Sequence, residues 1–254
     1  MNYELKHKGF SLTEVLMAVG IFSVAMIFIA GAFPVAIHFT TIASEQTIAA
    51  VVADEAFAKI RLYGVNPSDA NMQFNQQATF YNVRVTDINS DEFAYPSDSA
   101  VDKQYYWSAI CRRIEGNDVQ VTVFVSRKIG AGTMYWDVDL IGDLIETAVS
   151  PVPVRVGVAF APSVRRDELL IVDRSNTDSA REEMFINNGC TIVDDATGHI
   201  YRVLERYSAP PDVVLLDRDW DAGSPNPTAV WVIPPPVNGG RYPCVGVFQK
   251  VIRF

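Results

Sequence analysis

From Phe10 to Phe39 this chain is built almost entirely of apolar and small residues, and Glu14 is the one formally charged side chain among them. At 1.5 Å per residue, Phe10 to Ile29 alone makes a helix about 30 Å long, enough to cross the hydrocarbon core of a bilayer. A carboxylate inside such a segment costs about 2.5–3.5 kcal/mol on insertion scales, so its presence points to function. Lys6 and Lys8 precede the run, and the next Lys or Arg is Lys59. That asymmetry places the N-terminus in the cytoplasm and the rest of a single-pass chain outside. An ordinary secretory signal peptide would use Lys6 and Lys8 as its basic region, Val15 to Ile29 as its apolar core and Ala30-Gly31-Ala32 as its cleavage site. An uncleaved signal anchor is the other common reading. Glu14 argues against both, because each does better with an apolar residue there.

The octet Lys8-Gly9-Phe10-Ser11-Leu12-Thr13-Glu14-Val15 resembles the processing site of prepilins, the precursors of type IV pilins and type II secretion pseudopilins. The resemblance implies that a dedicated prepilin peptidase cuts between Gly9 and Phe10, removes the leader 1–9 and methylates the new amino group of Phe10. Glu14 then becomes the fifth residue of the mature chain. The resemblance gives it an assembly role, neutralising the terminal amino group of a neighbouring subunit and offsetting part of the cost of both buried charges. The run Glu14 to Ala18 (Glu-Val-Leu-Met-Ala) looks more like minor pilins and minor pseudopilins than the commoner Ile-Glu-Leu type. Inside the apolar run, Gly31 and Pro34 mark the expected helix break. An interior Gly costs about 1 kcal/mol relative to Ala and an interior Pro about 3 kcal/mol. A kinked or melting helix and a membrane helix that ends before Pro34 both follow from that physics.

Beyond the apolar run, a helical pattern continues to about Leu62. Ile48, Val51, Val52, Ala56 and Ile60 recur at three- and four-residue spacing and form one face. Glu55 and Lys59 make an i, i+4 pair, and Gly64 and Pro67 stop the helix. The rest reads as strands: Gln77 to Asp87, Tyr105 to Ile114, Val119 to Lys128, Glu168 to Val172, Cys190 to Val193, Ile200 to Arg206, Val213 to Leu216, Ala229 to Ile233 and Val245 to Phe254. Glu115-Gly116-Asn117-Asp118 is a hairpin turn. Gly142 to Pro162 is less regular, Ser175 to Glu183 is an exposed loop or short helix, and Pro234-Pro235-Pro236 is loop material. Pro151-Val152-Pro153 marks a soft boundary. The expected organisation is a leader (1–9), a transmembrane and assembly helix (10–39), its amphipathic continuation (40–63), a β-rich pilin-like head (64–150) and a β-rich C-terminal subdomain (151–254). The fold class is α+β: a long N-terminal helix with an antiparallel sheet on its outer half, with a second β subdomain.

Charge and chemistry narrow the function. The formal net charge of the 254 residues is −9, without a basic cluster in sequence, so nucleic acid is not an expected partner. Cys111, Cys190 and Cys244 cannot all pair within one chain. Export permits one bridge, and three buried thiols are the alternative. The resemblance favours Cys190–Cys244, because pilins often staple their C-terminal region. Asp217, Asp219 and Asp221 alternate as in calcium loops, but Ala222 and Thr228 stand where an EF-hand needs Gly and Glu. An ordinary acidic turn is the competing reading, and no other cofactor is expected. Asp194, Asp195 and His199 flank Ala-Thr-Gly, the tip of a hairpin rather than a catalytic or metal group. No nucleophile motif or phosphate loop is present, so an enzyme is not expected. The resemblance implies a minor pilin or pseudopilin of a type IV pilus or type II secretion pseudopilus. Its partners would be prepilin peptidase, other subunits and the inner-membrane assembly platform, with the β-rich part in the periplasm. The alternative is an exported or single-span membrane-anchored β-rich binding protein with no filament role.

Overall fold

The computed structural model describes residues 9–65, 81–82, 88–97, 102–130, 132–138, 144–147, 150–162, 165–172, 183–207, 212–221, 223 and 226–254. The expected strand over Gln77 to Asp87 is described only at Tyr81–Asn82, and most of Ser175 to Glu183 lies outside the described residues. One α-helix, α1, spans Leu12–Tyr63. The chain divides into two compact units, 1–47 and 48–254.

Within the first unit, the large apolar side chains of α1 are exposed on every side, Leu12 at 79% and Phe28 at 74%. This helix is apolar all round, as a membrane span is, and has no core of its own to bury. Its few hydroxyls bond back to the helix: Ser23 Oγ donates to the Val19 carbonyl at 2.7 Å and Thr40 Oγ1 to the Ala36 carbonyl at 3.0 Å. These hydroxyls are thereby satisfied without water, which a bilayer requires. The helix continues through Gly31 and Pro34, so the break expected there is absent. Proline removes one N–H from the ladder, and the remaining backbone bonds of this long helix continue past it.

The second unit begins with the amphipathic end of the same helix. Ala49, Val52, Ala53, Ala56, Phe57 and Ile60 are buried at i, i+3, i+4, i+7, i+8 and i+11. Val51, expected on that face, is half exposed. Gly64, at φ 80°, ends the helix by taking the left-handed conformation that only glycine adopts freely.

A five-stranded antiparallel sheet receives this face. It comprises β1 (Tyr81–Asn82), β2 (Ala94–Tyr95, after a 3-10 turn at Ser90–Phe93), β3 (Tyr105–Glu115), β4 (Asp118–Arg127) and a last strand from the C-terminus, Cys244–Arg253. Alternation gives β3 and β4 two buried faces. Trp107, Ala109, Cys111, Val119, Val121, Val123 and Val125 pack with the helix. Lys59 ties the helix to the turn: its Nζ lies 2.8 Å from Glu55 and 2.9 Å from Glu92 and donates to the Glu92 carbonyl. Trp107 Nε1 donates to the same carbonyl at 2.8 Å. Burial pushes the Lys59 ammonium down and the Glu55 carboxyl up. Their mutual hydrogen bond and charge more than offset this, leaving Lys59 raised and Glu55 lowered.

The other face of the sheet meets a second layer. After a hairpin of β5 (Tyr135–Val138) and β6 (Leu144–Thr147) come β7 (Val154–Phe160), β8 (Glu168–Ile171), β9 (Thr191–Asp194), β10 (Ile200–Tyr207), β11 (Val213–Leu216) and β12 (Ala229–Val232). These six close into an antiparallel barrel in the order β10-β11-β8-β7-β12-β9. Closure leaves no open edge in this layer. Val154, Val156, Leu169, Ile192, Tyr201, Val203, Val214, Leu216 and Val230 contribute to its core. Ile110 and Phe124 from the sheet pack with Val193, Trp231 and Ile233 from the barrel side. Pro234, Pro235 and Pro236 form a loop out of β12, as expected, in which Pro234 and Pro236 are buried.

The last strand, β13 (Cys244–Arg253), pairs with β4 and not with the barrel, so the C-terminal subdomain expected over 151–254 gives up its final segment to the first sheet. Arg127 N donates to the Pro243 carbonyl at 2.9 Å. The chain therefore leaves the sheet and re-enters it at one place, and the barrel is an insertion into what is otherwise a β4–β13 hairpin. Gly246 sits at a bulge in β13, where an added Cβ would lie 2.9 Å from the Phe248 ring. Gly246→Ala is expected to destabilise this unit by about 1–3 kcal/mol through overpacking, read from the midpoint of chemical unfolding.

Candidate processing and assembly site

The helix starts at Leu12, so Gly9, Phe10 and Ser11 lie outside it. Ser11 is the cap. The Glu14 N–H donates to Ser11 Oγ at 3.2 Å, and the Ser11 N–H donates to Glu14 Oε2 at 3.0 Å. This reciprocal arrangement is a capping box, written in the sequence as Ser-x-x-Glu. A negative side chain in the first turn also suits the positive end of the helix dipole. The structure thus brings the residues around the expected cleavage bond together with the lone carboxylate of the apolar segment. The Ser-x-x-Glu spacing at Ser11 and Glu14 is the sequence signal of this box.

The remaining candidates are dispersed. None of the three cysteines is in a disulfide in this structure: Cys111 is buried among the side chains that face the helix, Cys190 is buried in the barrel core and Cys244 is half-buried at the start of β13. Burial pushes the Cys190 and Cys244 thiols up to about 12.

Asp217, Asp219 and Asp221 do not converge. Asp217 Oδ1 accepts from the Arg202 N–H, and Asp221 Oδ1 accepts from the Gly223 N–H. Between them, Trp220 is buried and stacks on Tyr201 at 4.6 Å, with Arg218 over the tyrosine ring. Among the described residues no three His, Cys, Asp or Glu side chains are placed to hold a metal ion.

Asp194 and Asp195 are buried and structural. Asp194 accepts from the N–H groups of Ala196 and Thr197 and from the Thr197 hydroxyl, closing the hairpin tip. Burial raises its carboxyl, which those bonds only partly offset. Asp195 accepts from Arg155 at 2.8 Å and from Trp231 Nε1 at 2.7 Å. His199 lies 3.5 Å from Asp221 instead of joining the two aspartates. The tip is gripped by the sheet: Arg112 donates to the Ala196 and Thr197 carbonyls, and Gln249 Nε2 donates to the Gly198 carbonyl at 3.0 Å. Nothing local in the sequence marks Arg112 for this task.

Residues 5–30 match the prokaryotic N-terminal methylation motif, the prepilin-type signature. No curated protein and no solved structure matches the chain. The motif implies processing by a prepilin peptidase and assembly with other pilin-like subunits, and it marks proteins that are structural rather than enzymatic. An apolar N-terminal helix carrying it fits a membrane-anchored pilin.

Replacing Ser11 removes one half of the cap. Ser11→Ala is expected to weaken the first turn by about 1 kcal/mol, seen as faster hydrogen exchange at Thr13 and Glu14 in detergent micelles with the β-rich unit unaffected.

Proposed function

We propose that this protein is a minor subunit, a minor pilin or minor pseudopilin, of a type IV pilus or type II secretion pseudopilus. The observation that carries the proposal is the methylation motif at the start of a helix that is apolar on all sides and interrupted by one carboxylate. In this reading 1–9 is the leader, cleavage falls between Gly9 and Phe10, and Phe10 becomes N-methylated. The segment 10–39 holds the chain in the inner membrane and then packs among other subunits, and the β-rich remainder occupies the periplasm. The inner-membrane assembly platform and prepilin peptidase are the partners. The size of the β-rich unit supports a minor place, because a bulky domain packs less easily at every step of a helical filament.

Glu14 has two duties that substitution separates. Gln keeps a capping-box partner for Ser11 but removes the charge, and Ala removes both. Glu14→Gln and Glu14→Ala are expected to insert in the membrane normally and to impair incorporation into the filament alike, measured in sheared or cross-linked filament fractions. Undiminished incorporation of Glu14→Gln contradicts a charge-pairing role.

The cysteines add a second expectation. Cys111 lies on the helix-facing side of the sheet, apart from Cys190 in the barrel core, and the periplasm supplies thiol oxidants. We propose that the exported protein carries a Cys190–Cys244 bridge tying β13 to the barrel. Alkylation without reduction, after denaturation, is expected to label Cys111 alone; labelling of all three contradicts the bridge.

A further inference from the structure

The chain contains two Asn-Gly bonds, Asn188-Gly189 and Asn238-Gly239. This dipeptide carries chemistry of its own. The carboxamide carbon of Asn and the main-chain nitrogen of the following residue can close a five-membered ring, and glycine has no side chain to keep them apart. Both pairs lie at exposed turns, but the structure holds them differently. Asn188-Gly189 is stitched to β10: Asn188 Oδ1 accepts from the Arg206 N–H at 2.7 Å, and the Gly189 N–H donates to the Val203 carbonyl at 2.8 Å. Carboxamide and nitrogen are each engaged by a different residue of the barrel, and ring closure requires both to let go.

Asn238-Gly239 sits in the connection that returns the chain from β12 to β13. Asn238, Gly239, Gly240 and Arg241 are all exposed, and the Asn238 carboxamide holds no hydrogen bond among the described residues. The Gly239 N–H is engaged only within its own turn, donating to the Pro236 carbonyl at 2.9 Å. Gly239 and Gly240 follow one another at φ 77° and 126°, and a Cβ added at either would meet nothing within 4 Å. The turn therefore has open space around it and two permissive residues after the carboxamide. An exposed turn bond of this kind opens locally at little cost, whereas the bonds of Asn188-Gly189 belong to the barrel.

We propose that Asn238 is a site of spontaneous deamidation in the folded protein and that Asn188 is protected from it. The Gly239 nitrogen, having lost its proton to hydroxide, attacks Asn238 Cγ. The new N–C bond closes a succinimide, the carboxamide C–N bond breaks, and that nitrogen leaves as ammonia with a proton taken from water. A water molecule then adds to one of the two ring carbonyls and opens the ring, giving aspartate or isoaspartate. One water is consumed and one ammonia released, with no oxidant or reductant. Either product places a new carboxylate in the same exposed turn as Arg241. The isoaspartyl product also lengthens the main chain by one methylene, just before it re-enters the sheet at β13. The proposal does not depend on filament assembly, and failure of processing at Gly9 would leave it intact.

The test uses the full chain in uncharged maltoside micelles, aged in mildly alkaline buffer. Samples taken over time are digested at acidic pH, and peptide mass spectrometry reads the exchange of –NH2 for –OH at each of the two positions. Asn188 is the internal reference, because it carries the same dipeptide. In the folded chain, conversion at Asn238 is expected to be roughly fivefold faster than at Asn188 or more, the factor that the one additional net hydrogen bond at Asn188 represents. In denaturant the two positions are expected to convert at comparable rates, which shows that the difference belongs to the fold. Asn238→Gln, whose ring would have six members and close slowly, is expected to abolish the fast ammonia loss in the folded chain. Equal or slower conversion at Asn238 than at Asn188 in the folded chain, or fast loss of ammonia that persists in Asn238→Gln, overturns the proposal.

Discussion

A helix with large apolar side chains on every side has to be covered by something other than its own chain. In the first unit Phe10, Ile21, Ile27, Phe28 and Phe39 are all more than half exposed, and no strand or second helix among its described residues shields them. Lipid or the helices of other subunits are the two environments that remove such a surface from water. Glu14 makes the choice chemical as well as physical. Its carboxylate is satisfied locally by the Ser11 N–H, which lowers the cost of holding it at low dielectric. One oxygen of an ionised carboxylate is thereby engaged, and the group retains the capacity to accept from a positive partner.

The β-rich unit is organised around one sheet with two buried faces. The odd-numbered residues of β3 and β4 bury the amphipathic end of α1, and Ile110 and Phe124 among the even-numbered ones face the barrel. Val119, Val121, Val123 and Val125 form the helix-facing side of β4, while the other side alternates polar Gln120 and Thr122 with Phe124, all buried under the barrel layer. The barrel enters and leaves at the Arg127–Pro243 contact. Such a layout keeps the helix and sheet as a carrier and places the additional mass in a closed module with its own core. The grip of Arg112 and Gln249 on the 196–198 carbonyls fixes that module to the sheet by neutral acceptors.

Much of this was legible in the sequence, and the failures have physical causes. The strands from β8 to β13 and the β3–β4 hairpin follow from alternation and turn residues, which are local signals. The segment around β7 carries an alternating signal at Val152, Val154, Val156 and Val158, but Pro151 and Pro153 at its start mimic a boundary and mask it. Barrel closure was not legible, since β12 pairing between β7 and β9 is a long-range choice set by which apolar faces meet. A single missing donor at Pro34 does not end this long helix. The three alternating aspartates suggested a cation site, yet Trp220 between them is drawn into the core and turns the carboxylates toward separate main-chain donors. At the N-terminus the apolar span and its carboxylate are plain from composition, and the cap that joins Ser11 to Glu14 emerges only in the structure.

The central claim is that this chain is a processed, membrane-inserted subunit, and the most direct test is the intact mass and N-terminal residue of the protein recovered from native membranes. A chain that begins at N-methyl-Phe10 is the predicted result. A chain that begins at Phe33, after the Ala30-Gly31-Ala32 site, or one that retains Met1, would contradict it.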